Sequence, residues 1–399
     1  MVTELEWIKN IHDNLKIPPS SFGFAGEVYA KFYECEEEYK KIIGKYIFIY
    51  QATCINRKAI YYSVSFEDVL SILREADSDY LVISQSKILF EYKRYVLFTM
   101  VEYVMHAVCK LLNICFENNG FREKFYILLK KKLNYYTDIL VSLMFSDNFP
   151  DLKPIELDFI GKIENIYIAE NISPLREHVE MDNKMILVLG YVLYADYIER
   201  CDLLICPLLG SAQIPPFFNS LEILFSKNDC IPKQIQYDYV KYSTYDITDY
   251  LPFEEQLNDI MNHFDKDKKI LILDESLGTG RTVLAIKQSL RNHFNSIAVA
   301  SIEFKWDKKI AWDEKYAWFD IDEIDLITPI SYRDWFLLSN QTASFKRNTA
   351  YIQPYIPYMV YDDPGFASYM SAQKISIEKQ NIIDELFCIS KNMKMIFYP

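Results

Sequence analysis

Two adjacent carboxylates end an apolar run in the second half of the chain. Asp274 and Glu275 directly follow the four apolar residues 270–273, and a loop rich in small and hydroxyl residues, 276–282, comes next. Vicinal acids can accept hydrogen bonds from neighbouring hydroxyl groups on a sugar. A glycine-containing loop that opens a helix can direct backbone N–H groups at a phosphate. These residue types together predict a ligand with both a diol and a phosphate, as in a ribose 5-phosphate.

This segment resembles the phosphoribosyl-diphosphate loop of type I phosphoribosyltransferases. The shared pattern is four apolar residues, two acids, two spacers, a small or acidic residue, and Thr-Gly-Arg-Thr. The resemblance implies that Asp274 and Glu275 bind the ribose 2- and 3-hydroxyls and carry the catalysis. It also implies that the loop wraps the 5-phosphate, through Ser276, Thr279, Gly280, Arg281 and Thr282.

Two further segments resemble other parts of that family. Gly210 and Ser211 follow an apolar strand where the family has its diphosphate loop, and Lys241 stands where the family has a mobile loop that closes over the diphosphate. The resemblance implies that these three residues bind substrate and that Mg²⁺ enters on the substrate diphosphate, with no protein residue as metal ligand. An ordinary strand-to-helix turn at Gly210 and a solvated lysine at 241 remain the alternatives.

The sequence departs from the family pattern in two places. Gly278 stands where purine-salvage members often have an acid, which disfavours a hypoxanthine–guanine enzyme. The presumed diphosphate loop, 208–212, has no lysine or arginine. Other nucleotide motifs do not fit, because the lysine of a P-loop and the third glycine of a dinucleotide fingerprint are both missing around residues 278–284.

Three functions are compatible with these residues. The first is an enzyme that binds phosphoribosyl diphosphate or a nucleotide and transfers or cleaves at ribose C1. The second, motivated by the uncharged loop 208–212, is a nucleotide-sensing module without catalysis. The third is a nucleotide-damaging effector of a bacterial conflict or defence system, suggested by the fusion of a salvage-like core to unfamiliar flanking regions.

Short apolar segments alternate with amphipathic ones from about residue 166 to residue 304. This alternation predicts an α/β fold with a parallel sheet covered on both faces, and the resemblance makes it a type I phosphoribosyltransferase-like, Rossmann-like core. The predicted strands are Ile166–Ala169, Asp202–Cys206, Ile235–Val240, Lys269–Leu273 and Ser296–Phe304, and the predicted helices are Lys184–Arg200, Pro216–Ser226, Phe253–Asn262 and Thr282–His293.

The flanking regions have a different character. Apolar residues recur at helical intervals in Tyr95–Phe116 and Phe121–Phe145, with a stop at Asn118. Two β-like runs, Tyr46–Tyr50 and Ala59–Val64, predict a hairpin in the otherwise helical N-terminal part. The predicted organisation is a mostly helical domain at 1–150, a phosphoribosyltransferase-like domain at 151–336, and a C-terminal extension at 337–399 with a last helix at 376–390.

The composition of the chain limits the classes of partner and the cellular compartment that we expect. The net charge is −13, which disfavours non-specific binding to nucleic acid or anionic membrane. The eight scattered cysteines predict free thiols in a reducing cytoplasm. Glu102, His106 and Lys110 interrupt the longest apolar run and predict a polar stripe on a helix rather than a membrane span. We therefore expect a cytoplasmic protein with a small-molecule ligand and, through its N-terminal domain, a protein partner.

Overall fold

The computed structural model divides the chain into a helical unit and an α/β unit. The contacts separate residues 13–183 from a second unit made of residues 1–12 and 184–399. The residues that the structure describes are 35–54, 61–62, 66–152, 157–169, 179–180, 187, 191, 201–208, 210–225, 234–242, 251–277, 281–304, 326–327 and 330–331.

Two long helices form the centre of the helical unit. The described elements of this unit are α1 (Glu37–Cys54), β1 (Tyr61–Tyr62), α2 (Phe66–Gln85), α3 (Phe90–Ile114), α4 (Asn119–Phe145), α5 (Leu157–Ala169) and β2 (Val179–Glu180). Helix α3 packs against α2 and α4. The Asn118 side chain accepts a hydrogen bond from the Phe121 N–H at 2.8 Å and so caps the start of α4. The two long helices and the stop between them confirm the prediction.

Two strand predictions in this half of the chain are wrong. Residues 46–50 lie inside α1, where Ile43 and Tyr46 are buried one helical turn apart. The short strand β1 pairs antiparallel with β2 instead of forming a hairpin with that segment. Residues 166–169 are the last residues of α5, whose buried Phe159, Ile160 and Ile163 have helical spacing. The apolar runs were compatible with either structure, and packing of one helical face decided between them.

Helix α3 is a core helix whose polar residues are buried. Among the described residues, Tyr92–Ile114 is long and apolar enough to cross a bilayer by length and composition, and its most apolar stretch is completely buried in the protein. The predicted polar stripe is present but does not face solvent, since Glu102 and Lys110 are 0% exposed and His106 is 4% exposed. Each of these three side chains has an interaction partner.

The α/β unit is built on a parallel sheet. Its described elements are β3 (Leu203–Leu208), a 3₁₀ turn (Gly210–Gln213), α6 (Ile214–Phe225), β4 (Tyr237–Lys241), α7 (Phe253–His263), β5 (Lys269–Leu277), α8 (Arg281–Leu290), β6 (Ser296–Phe304), β7 (Leu326–Ile327) and β8 (Ile330–Ser331). The strand order is β4-β3-β5-β6-β7, with β8 also paired to β6, and every pairing is parallel.

This architecture confirms the predicted α/β fold class with a helical N-terminal region. All six residues of β3 are buried, as expected for a strand covered on both faces. One face of the sheet packs its apolar side chains, including Ile205 and Ile272, against α7 and α8. The predicted helices at 184–200 and 376–390 lie outside the described residues, apart from the single positions 187 and 191.

Candidate functional site

Two loops meet at the carboxyl edge of the sheet, after the adjacent strands β3 and β5. The 3₁₀ turn that follows β3 carries Ser211, whose hydroxyl donates a hydrogen bond to Asp274 Oδ1 at 2.7 Å. The same hydroxyl oxygen accepts a hydrogen bond from the Glu275 N–H at 3.0 Å. Two segments more than 60 residues apart in sequence are therefore joined through one buried serine. Ligands of open α/β sheets bind outside this edge.

Asp274 is the more accessible of the two acids. Its Oδ1 atom accepts a second hydrogen bond, from the Glu275 N–H at 2.9 Å. The side chain is half-buried, so the carboxylate is held in place and still reaches the edge of the sheet. This geometry suits a group that orients a ligand hydroxyl.

Glu275 packs directly against Gly210. A Cβ atom added at Gly210 would lie 2.6 Å from Glu275 Oε2, so the carboxylate takes the space that a side chain at 210 would fill and would have to shift to admit one. Glu275 is 6% exposed. Strand β5 continues to Leu277, which pairs with Phe304 of β6, and alternate residues of a strand face opposite sides. The two neighbouring acids therefore point to different faces of the sheet.

Lys241 is the last residue of β4 and not part of a loop. It pairs with Leu208, and its side chain is 3% exposed. Its backbone is fixed by Gln256, whose Oε1 accepts from the Lys241 N–H at 2.8 Å and whose Nε2 donates to the Lys241 carbonyl at 3.1 Å. The placement of Lys241 in a mobile loop is thus corrected, because the ladder with β3 extends through this residue.

Lys241 and Glu275 share a face and a level of the sheet. Ile205 pairs with Asp238 on one side and with Ile272 on the other. Lys241 and Glu275 each lie three residues further along their strands than those partners, so both side chains are on the face opposite Ile205. One lysine and one carboxylate therefore lie on the same face of the sheet, at the ends of the two strands that flank β3.

Two residues that the sequence analysis missed hold this edge together. The hydroxyl of Tyr239, a fully buried residue on the same face as Lys241, donates to the Ala212 carbonyl at 2.5 Å and anchors the 3₁₀ turn. Gln256 in α7 fixes the end of β4. The alternation along 237–241 could have placed Tyr239 on this face, but nothing in the sequence connects Gln256 with Lys241.

Three of the other predicted site residues lie in the described part of the chain, and one of them, Ser276, is in a strand and not in the predicted loop. Ser276 lies in β5 and pairs with Glu303. Arg281 and Thr282 open helix α8, and Thr282 is half-buried. Thr279 and Gly280 lie outside the described residues. Within the described ranges there is no group of three or more His, Cys, Asp or Glu side chains that could hold a metal ion.

Ser211→Ala is expected to loosen the edge without unfolding the chain. The variant loses the bond to Asp274 and the acceptor of the Glu275 N–H, at a cost of about 1–2 kcal/mol. Amide exchange in peptides covering 210–213 and 270–277 should then accelerate about 5- to 30-fold. Ser220→Ala is the matched control, because this buried hydroxyl donates one turn back along α6, to the Pro216 carbonyl. Equal exchange in the two variants would contradict the joining role of Ser211.

Comparison with known proteins yields similarity to solved structures only. No family model and no curated protein matches the chain. A hypoxanthine-guanine-xanthine phosphoribosyltransferase is 18% identical, with 37% of this chain and 71% of that protein covered and a TM-score of 0.23. The UMP synthase of Leishmania donovani is 10% identical, with 49% of this chain and 36% of that protein covered and a TM-score of 0.24.

Proposed function

We propose that the α/β unit binds the 5-phosphoribosyl group of phosphoribosyl diphosphate or of a nucleotide and transfers or cleaves at ribose C1. The observation that carries this proposal is the contact between Ser211 and the acid pair at the carboxyl edge of the sheet. It brings the segment that resembles a diphosphate loop onto the segment that resembles a phosphoribosyl loop.

In this proposal the ribose lies against the acids and the phosphate lies at the start of α8. Asp274, held by two donated hydrogen bonds and half-buried, accepts from a ribose hydroxyl, and Glu275 lies at the same strand end on the opposite face of β5. The N-terminal end of a helix favours an anion. The 5-phosphate is held by Ser276 at the end of β5, by Thr279 and Gly280, and by Arg281 and Thr282 in the first turn of α8. The substituent at C1 faces Gly210, Ser211 and Lys241.

The chain's contribution to the reaction is mainly orientation and electrostatics. The bond at C1 breaks through a sugar with oxocarbenium character, and nearby carboxylates stabilise the positive charge that develops on the ring. Holding ribose and phosphate at separate points fixes C1 relative to the incoming group. Where the ligand is phosphoribosyl diphosphate, Mg²⁺ on the diphosphate oxygens neutralises the leaving group. The acceptor is a nucleobase or another nucleophile in transfer, and water in hydrolysis.

A nucleotide-binding module without catalysis is the second candidate. It is favoured by the loop 208–213, which has no lysine or arginine, and by the carboxylate of Glu275 against Gly210. Such a module binds the ligand and leaves it unchanged. Prolonged incubation of a tightly bound nucleotide without any product would favour this candidate over the enzyme.

No disulfide bond joins the five cysteines whose side chains the structure describes, Cys35, Cys109, Cys115, Cys201 and Cys206. Burial raises the pKa of the Cys115 thiol well above its ordinary value, so this thiol is unreactive at neutral pH. Cysteines that form no disulfide bond suit a reducing compartment. We propose the cytoplasm as the place of action, with a protein partner on the helical unit.

A thermal-shift screen followed by turnover assays tests the proposed function. Nucleotides, nucleobases and phosphoribosyl diphosphate with Mg²⁺ are the ligands, and at least one phosphoribosyl compound should raise the melting temperature. The double variant Asp274→Asn with Glu275→Gln should abolish turnover and binding with almost no change in its own melting temperature. Full activity of the double variant, or a screen in which only compounds without ribose phosphate bind, would overturn the proposal.

A further inference from the structure

We infer that the site takes a nucleoside 5′-monophosphate, with an uncharged base at C1, and discriminates against a diphosphate at that position. The inference rests on the proposed function and specifies its substrate class. The turn 210–213 lies closest to the substituent at C1 in the proposed pose. Both the space and the charge around this turn bear on what that substituent can be.

The space beside Gly210 is already occupied by a carboxylate. Glu275 Oε2 lies 2.6 Å from the position that a Cβ of Gly210 would take. A glycine in a turn can let phosphate oxygens approach the backbone. Here the Glu275 carboxylate lies in the position beside Gly210 that a phosphate oxygen would otherwise take. The Ser211 hydroxyl is also engaged, since it donates to Asp274 Oδ1 and accepts from the Glu275 N–H. A diphosphate at this turn would have to displace Glu275.

The charge at this edge also opposes a diphosphate. Residues 208–213 contain no lysine or arginine. Among the described residues at this level of the sheet, Lys241 contributes one positive charge, and Glu275 on the same face contributes one negative charge. Asp274 adds a second negative charge on the other face. These three side chains together carry a formal charge of −1, and a group that carries several negative charges is repelled where it would have to bind beside them. An uncharged nucleobase meets no such repulsion.

Because a site that disfavours diphosphate does not supply pyrophosphate as the nucleophile, we infer that water is the co-reactant. In hydrolysis of a nucleoside monophosphate the bond from C1 to the base nitrogen breaks, and the oxygen of water forms the new bond to C1. One proton of the water goes to the leaving base, and the products are ribose 5-phosphate and the free base. No oxidant, reductant or diphosphate is needed for this balance.

Isothermal titration of the full chain tests the inference. The ligands are the common nucleoside 5′-monophosphates, phosphoribosyl diphosphate with Mg²⁺, and magnesium pyrophosphate as competitor. We expect at least one monophosphate to bind at least about tenfold more tightly than phosphoribosyl diphosphate, and millimolar magnesium pyrophosphate to leave its affinity unchanged. Tighter binding of phosphoribosyl diphosphate than of every monophosphate, or displacement by pyrophosphate, would overturn the inference and leave the proposed function standing. Binding of neither class would overturn both.

A charge-removing variant adds an internal control. Glu275→Gln keeps the shape of the side chain and should shift the affinity ratio toward phosphoribosyl diphosphate by about fivefold or more. Glu254→Gln removes the same charge from an exposed position in the first turn of α7 and should leave the ratio as in the unmodified protein. An unchanged ratio in Glu275→Gln would contradict the role assigned to this carboxylate.

Discussion

Replacing Asp274 with asparagine is expected to weaken nucleotide binding about 100-fold while the α/β unit stays folded. Hydrogen bonds to a charged group contribute about 1.5–3 kcal/mol each, and about 3 kcal/mol corresponds to two powers of ten in the dissociation constant. The amide oxygen of asparagine can still accept from the Ser211 hydroxyl and the Glu275 N–H, as Oδ1 of Asp274 does. The free energy that is lost is therefore that of the hydrogen bond between Asp274 and the ligand. Titration calorimetry measures the affinity, and circular dichroism checks the fold.

Asp238→Asn is the matched control for this variant. Asp238 lies on the same face as Asp274, in β4, and its Oδ1 accepts from the following N–H, that of Tyr239, at 2.9 Å. The two acids thus share their local geometry, but Asp238 lies further from the carboxyl edge. Its replacement should change the affinity by about twofold or less. Equal losses in the two variants would show that general charge, and not a ligand contact at Asp274, controls binding.

Replacing Arg94 with methionine is expected to destabilise the helical unit by about 3–5 kcal/mol, because its bonds involve a charged group. Arg94 is 3% exposed, and its guanidinium donates to the carbonyls of Leu143, Ser146 and Asp147 at 2.6, 2.6 and 3.1 Å. These carbonyls belong to the end of α4 and the residues after it, where a cation is favourable. Methionine fills part of the volume but leaves the three carbonyls without this donor.

Hydrogen exchange in the α3 and α4 peptides measures this loss, since it reports each unit separately. Arg74→Met is the control, because Arg74 pairs with Glu164 and both side chains are 41% exposed. Exposed pairs contribute about 1 kcal/mol or less. Similar protection in Arg94→Met and in the unmodified protein would show that the arginine does not cap α4.

The periodicity of apolar residues was sufficient to predict the strands of the parallel sheet, but it did not distinguish strands from helices in the N-terminal part. Strands β3, β5 and β6 are short apolar runs between amphipathic segments. A buried parallel strand accounts both for the continuous apolar run and for its alternation with helices. Residues 46–50 and 166–169 are equally apolar, yet they continue helices that begin upstream at Glu37 and Leu157. Local β preference is weak, and burial of one helical face outweighed it.

The segments that form the candidate site could be predicted from the sequence, but the directions of their side chains could not. Residue types and their order indicated the acid pair, and the resemblance to a diphosphate loop indicated the turn at Gly210. The direction of each carboxylate depends on how far the ladder between β5 and β6 extends, and this ladder passes beyond Glu275 to Leu277. The extension turns Glu275 toward Gly210 and separates it from Asp274. Pairing of this kind is a tertiary property, so the sequence alone does not contain an obvious signal for it.

A crystal structure of the full chain soaked with a nucleoside 5′-monophosphate tests the central claim most directly. We predict a ribose hydroxyl oxygen within hydrogen-bond distance of the Asp274 carboxylate, about 2.5–3.2 Å, and the phosphate against the segment 278–282 at the start of α8. Density for the nucleotide away from the carboxyl edge of β3 and β5, or a ribose that makes no contact with Asp274, would contradict it.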